Sequence, residues 1–208
     1  MTLASQAADI RQKFGESPNV LAEVLAEGVN MAVWQRHLPA QIEDFATLVV
    51  SQGQSIADQR VLDVHEHEAP VLRGLLHEAA ALQGYESFVA DVAWLVSAFT
   101  CLLGARRVGL RLRVLTGAMC PRFHVDNVPV RLLSTYVGPG SEWLKEGAID
   151  RVDLCRSQAP VDNIQRLSAG DVALLKGEKW IGNEGAGLIH RSPSSTERRL
   201  LLSLDWLA

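Results

Sequence analysis

Hydrophobic positions in the first hundred residues recur mostly at helical spacing. In PAQIEDFATLVV (39–50), Ile42, Phe45, Ala46 and Val49 form one stripe behind Pro39, a residue suited to a first turn. In APVLRGLLHEAAALQ (69–83), Pro70 precedes Leu72, Leu75, Leu76 and Ala79 at similar spacing, which predicts a second helix. YESFVADVAWLVSAFTCLLG (85–104) places Phe88, Val92, Leu95, Phe99 and Leu102 on the stripe of a third. One short strand, MAVWQR (31–36), comes before this helical run.

Near residue 106 the texture changes to alternation and turns. VGLRLRVLT (108–116) alternates, and VRLLSTYVG (130–138) follows Pro129 and stops at the turn GPGSEW. LSAGDVALLKG (167–177) reads as a strand between turns, with Gly170-Asp171 as the turn signal. GAGLIHRS (185–192) and RRLLLSLDW (198–206) are two further short strands. The expected class is α+β. A mainly helical region over 1–106 packs on a strand-rich core over 107–208, which is an antiparallel barrel or sandwich.

Composition narrows this picture without changing it. With 208 residues, 48% hydrophobic and 21% charged, the chain is long and apolar enough for a substantial core. A net charge of -4 argues against a general nucleic-acid partner, which needs a basic surface. The basic run ARRVGLRLR (105–113) has Arg111 and Arg113 alternating with Leu110, Leu112 and Val114, which reads as the solvated face of a strand. Cys101, Cys120 and Cys155 contain no CxxC pair, so neither a disulfide framework nor a four-cysteine zinc site is expected, and a reducing cytoplasm suits the chain. The first residues carry no apolar signal-like run. The uncharged stretch VAWLVSAFTCLLGA (92–105) falls short of the ~20 residues that span a bilayer, so it reads as a buried helix and no membrane is expected.

The strand-rich half has two histidines, His124 and His190. In CPRFHVDNVPVR (120–131), His124 and Asp126 are two apart, hence on one face of an extended chain. They are either a ligand pair or a polar bend in which Asp126-Asn127 caps a turn before Pro129. His190 ends an apolar strand, as a metal ligand or as a hydrogen-bonded core histidine. Two imidazoles and one carboxylate on a β scaffold match the facial triad of non-haem Fe(II) sites, which leaves coordination positions open.

On these residues the second half resembles the double-stranded β-helix (jelly-roll, cupin-type) Fe(II)/2-oxoglutarate-dependent oxygenases. The resemblance rests on RFHVD, the Gly-Asp strand AGDVALLKG, the strand histidine of GLIHRS and the arginines of RRLLLSLDW. It implies a barrel braced by the N-terminal helices, with Fe(II) held by His124, Asp126 and His190. It also implies that 2-oxoglutarate is anchored by a final-strand arginine, because a planar guanidinium binds a carboxylate through two parallel bonds. Arg199 suits this role better than Arg198, and adjacent strand residues face opposite ways. Arg131 and Tyr136 also differ in parity, so at most one faces the site; Tyr136 is the candidate donor to a co-substrate carboxylate. The chain further resembles an uncharacterised bacterial family known by a domain-of-unknown-function label.

The alternative function is a cupin-like protein that stores, senses or delivers zinc through the same three ligands. HEHE (65–68) bears on it: His65 and His67, with His77 nearby, form a secondary zinc loop or a charged, solvated helix entry. Nucleotide-binding, hydrolase and zinc-protease motifs are absent from the sequence. The pattern names no primary substrate, small molecule or protein, and no oligomeric state.

Overall fold

The alternating segments pair into one large sheet, and strands from the first half of the chain extend it. The computed structural model describes residues 10–65, 68–154, 159 and 161–207. Its seven-stranded sheet runs in the order β1 (Arg11–Gly15), β2 (Val29–Trp34), β8 (Val172–Lys176), β5 (Val130–Val137), β10 (Arg198–Leu207), β4 (Arg107–Thr116) and β3 (Ala57–Asp63). A three-stranded sheet runs β7 (Ile164–Arg166), β6 (Glu142–Leu144), β9 (His190–Arg191). Only β1 and β2 pair in parallel; the other paired strands are antiparallel.

Side-chain parity sorts the large sheet into two faces. Leu110 and Leu112 of β4, Leu132 of β5, Leu174 of β8 and Leu200 and Leu202 of β10 join one cluster. That cluster also takes in the stripes of α1 (Ala40–Ser51) and α2 (Tyr85–Leu103), so both helices cover this face. Each fully buried Leu or Phe in it stabilises by roughly 2 kcal/mol. The opposite parity, Met31, Val33, Leu133, Leu175 and Leu201, packs against Trp143 of β6. The result is three layers: helices, large sheet, small sheet.

Two of the three expected helices form where the periodicity places them. α2 is long and apolar enough by composition to cross a membrane, but in this fold it buries Phe88, Val92, Leu95 and Phe99 in the helix-side core. Its Asp91 takes both Nη groups of Arg36 at 2.6 and 3.0 Å and the Tyr136 hydroxyl at 2.6 Å, which fixes the helix to the sheet.

The stretch 69–83 is not the expected helix. Apart from a short 3-10 turn at His77–Ala79 it is irregular, and Leu76 adopts a left-handed backbone with φ 49°. The reason is a competing set of partners. Arg60 donates to the carbonyls of Arg73 and Gly74, and Asp58 accepts the Leu76 N–H at 3.1 Å. Leu72, Leu75, Leu76 and Ala79 are still buried, so the spacing reported an inward face rather than a helix. The first half is also less helical than its pattern predicts. It contributes β1 and β3 besides β2, and all three lie in the large sheet.

Candidate metal centre

His124 and His190 face each other because their backbones exchange two hydrogen bonds, His124 N–H to His190 O and the reverse, both 3.0 Å. β9 is in turn held by β6, where Trp143 pairs with His190. The loop after His124 lies on the end of β8. Gly177 N–H donates to Pro129 O and Glu178 N–H to Asp126 O, each at 2.9 Å. A Cβ at Gly177 would strike the carbonyl oxygens of Val128 and Asp126, so this close crossing requires glycine.

The side chains converge as the backbones do. One donor atom from each of His124, Asp126 and His190 lies within 4.8 Å of the others. Asp126 Oδ1 is 3.7 Å from His124 Nε2, and its Oδ2 is 3.4 Å from His190 Nε2. Donors bound at about 2.0–2.2 Å to a common ion lie roughly 3–4 Å apart, so the group fits a divalent metal after a small contraction. Each imidazole has Nδ1 against the carbonyl two residues earlier: His124 on Arg122 O at 2.9 Å, His190 on Leu188 O at 3.1 Å. Those contacts make each Nδ1 a donor and turn each Nε2 toward Asp126, where that of His190 donates to the carboxylate in the metal-free protein and both offer a lone pair to a bound ion.

Electrostatics favour the ligating forms. Burial lowers the His124 pKa, and the neighbouring His190 lowers it further. Burial pushes the Asp126 carboxyl up, but the hydrogen bond and charge of His190, with Arg131 and His124, outweigh it and hold the pKa at about 2.

Arg131 has a place of its own. Its Nη1 lies 2.8 Å from both Asp126 oxygens, and its Nε reaches Asp205 Oδ1 at 2.6 Å. Arg111 completes the chain at 2.6 Å from Asp205 Oδ2. Asp205 escaped sequence reasoning. Its signal was a lone charge in an apolar strand, at the parity of Arg199.

Arg199 opens into the same cavity as the two imidazoles, and Arg198 does not. Arg198 turns to the helix side and donates to the carbonyls of Val50 and Gly53. Arg199 is 2% exposed, yet among the described residues no carboxylate meets it. Its Nη groups reach only the hydroxyls of Ser141 (3.5 Å) and Ser192 (3.2 Å), and its Nε is buried without a partner. Burial lowers its pKa to about 10. An uncompensated buried guanidinium is costly to a fold.

Other expected positions fall elsewhere. Tyr136, expected beside a co-substrate, lies on the helix face with its hydroxyl on Asp91 and its ring 4.6 Å from that of Phe88. Parity decides this: Arg131 and Leu133 take the cavity side of β5, so Tyr136 cannot. Arg111 and Arg113, expected on a solvated face, line the cavity instead. His65 is exposed in the loop after β3, and His67 lies outside the described residues. Among the described residues, one cluster of three or more metal-type side chains is present, that of His124.

Comparison with known proteins gives a fold and a family. Among curated proteins, none matches the sequence. The structure is similar to the dioxygenase for auxin oxidation 1 of Arabidopsis thaliana, solved with 2-oxoglutarate, at TM-score 0.51 and 10% identity; the match covers 96% of this chain and 92% of that one. It is also similar to a prolyl-4-hydroxylase of Pseudomonas putida, at TM-score 0.48 and 12% identity, covering 90% and 96% of the two chains. At such identities the likeness is one of fold. By sequence, over residues 15–205, the chain belongs to the family described as Protein of unknown function (DUF1826).

Proposed function

We propose that the protein is an Fe(II)- and 2-oxoglutarate-dependent oxygenase built on a double-stranded β-helix. His124, Asp126 and His190 hold the iron, and Arg199 binds the far carboxylate of 2-oxoglutarate. The observation that carries this reading is the buried Arg199 guanidinium, without an anionic partner among the described residues, in the cavity lined by the two imidazoles. The fold shared with an enzyme solved in complex with 2-oxoglutarate supports it.

When bound, Fe(II), 2-oxoglutarate and O₂ supply an oxidant for a substrate C–H bond, and 2-oxoglutarate leaves as succinate and CO₂. The chain supplies the setting. The Nδ1 contacts of His124 and His190 hold both rings with Nε2 inward. Arg131 orients Asp126 and helps keep it ionised, while Asp205 neutralises the excess positive charge. Ser141 and Ser192 orient the Arg199 fork without satisfying its charge, so the binding energy of an incoming carboxylate is retained. A zinc-storage role would use the same three ligands, but it gives the buried Arg199 no task.

The test is calorimetric binding of 2-oxoglutarate to the Mn(II)-loaded protein without oxygen, alongside succinate release by the Fe(II)-loaded protein in air. Binding that needs both the metal and Arg199 is expected. Absence of both 2-oxoglutarate binding and succinate release overturns the reading.

A further inference from the structure

Five arginines line the cavity: Arg111, Arg113, Arg131, Arg191 and Arg199. Three have carboxylates. Arg111 and Arg131 share Asp205, Arg131 also holds Asp126, and Arg191 pairs with Glu142 at 2.7 Å. Arg199 is the seat assigned above to 2-oxoglutarate. Arg113 remains. Its Nη1 rests on the Met119 sulfur at 3.3 Å, its Nη2 on Gln59 Oε1 at 3.2 Å, and its Nε is buried with no partner. A thioether is a weak acceptor and an amide is neutral, so the charge is uncompensated. Among the described residues, no carboxylate forms an ion pair with Arg113.

The sheet register places this second free cation. Arg113 on β4 pairs with Leu201 on β10, and Arg199 pairs with Leu115. Arg113 and Arg199 are therefore diagonal neighbours on the cavity face, about 7–8 Å apart at the backbone. Arg199 is buried, whereas Arg113 is partly exposed beside Met119, which is 51% exposed. Arg113 is thus on the solvent side of the cavity. One small dianion at the metal uses Arg199 and leaves Arg113 free for another molecule.

We propose that Arg113 recognises the primary substrate, and that this substrate carries an oxyanion, either carboxylate or phosphate, bound at the cavity mouth. This rests on the oxygenase reading, which supplies the reaction at the metal. Met119 covers the guanidinium when no substrate is bound and moves aside for the anion. Methionine suits that role, being unbranched and adaptable.

The test uses the Zn(II)-loaded full-length protein saturated with 2-oxoglutarate, so that Arg199 is occupied. Methylphosphonate and acetate are titrated separately while the arginine Nε–H resonances are followed by NMR. The probe that binds more tightly identifies the anion as phosphate-like or carboxylate-like. Wild type is expected to bind at least one probe, with Arg113→Gln weakening it by about tenfold or more and 2-oxoglutarate affinity staying within about twofold. Met119→Glu keeps the arginine but places a carboxylate against it at an exposed position, and is expected to weaken the probe equally. The proposal is overturned if wild type binds neither probe. It also fails if both variants bind like wild type, or if Arg113→Gln impairs 2-oxoglutarate as strongly as the probe. If 2-oxoglutarate itself does not bind to wild type, the oxygenase reading fails; probe binding lost in both variants then leaves the Arg113 anion site standing.

Discussion

A guanidinium buried beside two serine hydroxyls costs the unliganded fold energy that an anion would return. Arg199→Met is therefore expected to leave the metal-free protein as stable as wild type, or more stable by about 1 kcal/mol, because an apolar side chain removes an uncompensated charge. The same change should weaken 2-oxoglutarate binding by roughly a hundredfold, the cost of truncating one partner of a buried charge pair. Urea unfolding and calorimetry read the two effects. A large loss of stability would show that Arg199 serves the core instead. Asp126 is the opposite case. Its folded pKa of about 2 is below the usual 3.8, so its stabilising contribution is present above pH 4 and is lost as pH falls toward 2. The stability gap between metal-free wild type and Asp126→Asn should shrink by about 2 kcal/mol between pH 5 and pH 2. Denaturant melts across that range measure it, and a constant gap would refute the assignment. The ligand-type residues His124, Asp126 and His190 were legible from spacing and strand order. Arg113 was not, because alternation with leucines looks the same whether the polar face meets water or a cavity.

Among the elements, the crossing of β8 beneath the segment that carries Asp126 sets the site. Gly177→Ala would drive a methyl into two carbonyl oxygens of that segment. A loss of about 2 kcal/mol is expected from the overpacking, with weaker metal binding because Asp126 moves. Thermal melts with and without Mn(II) check both, and an unchanged metal-induced shift would show that the crossing does not position Asp126. α1 and α2 were legible because one buried stripe at helical spacing needs no distant partner. β3 was missed because an edge strand with charged positions, ADQRVLD, carries little hydrophobic signal. The 69–83 stretch misled for the converse reason. Its inward residues are spaced like a helix, while Arg60 and Asp58 on β3 take the backbone groups that a helix would use.

Across the whole molecule, the candidate site draws on parts of the chain that only the fold unites. His124 and Asp126 precede β5, His190 lies in β9, Arg199 in β10 and Arg113 in β4. Ligands that bind across these parts should stabilise all of them together. Metal at a hundredfold excess over its dissociation constant is worth about 2.7 kcal/mol, or roughly 5–10 °C in Tm for a chain of this size. A further rise is expected with 2-oxoglutarate, and a chelator should reverse both. Scanning fluorimetry reads this, and no shift with any of Mn(II), Fe(II) or Zn(II) would argue against a metal centre.

The sequence by itself determined the two long helices, the alternating strands, the parity that separates Arg199 from Arg198, and the ligand types at 124, 126 and 190. These depend on local periodicity and on side-chain chemistry. Only the tertiary structure decided that the three donors meet, that Tyr136 turns to Asp91, that Asp205 ties Arg131 to Arg111, and that Arg113 and Arg199 share a cavity with no carboxylate paired to either among the described residues. Which face of a strand meets a cavity, and which charges find partners there, depends on strands brought together from distant parts of the chain. No local pattern encodes that pairing.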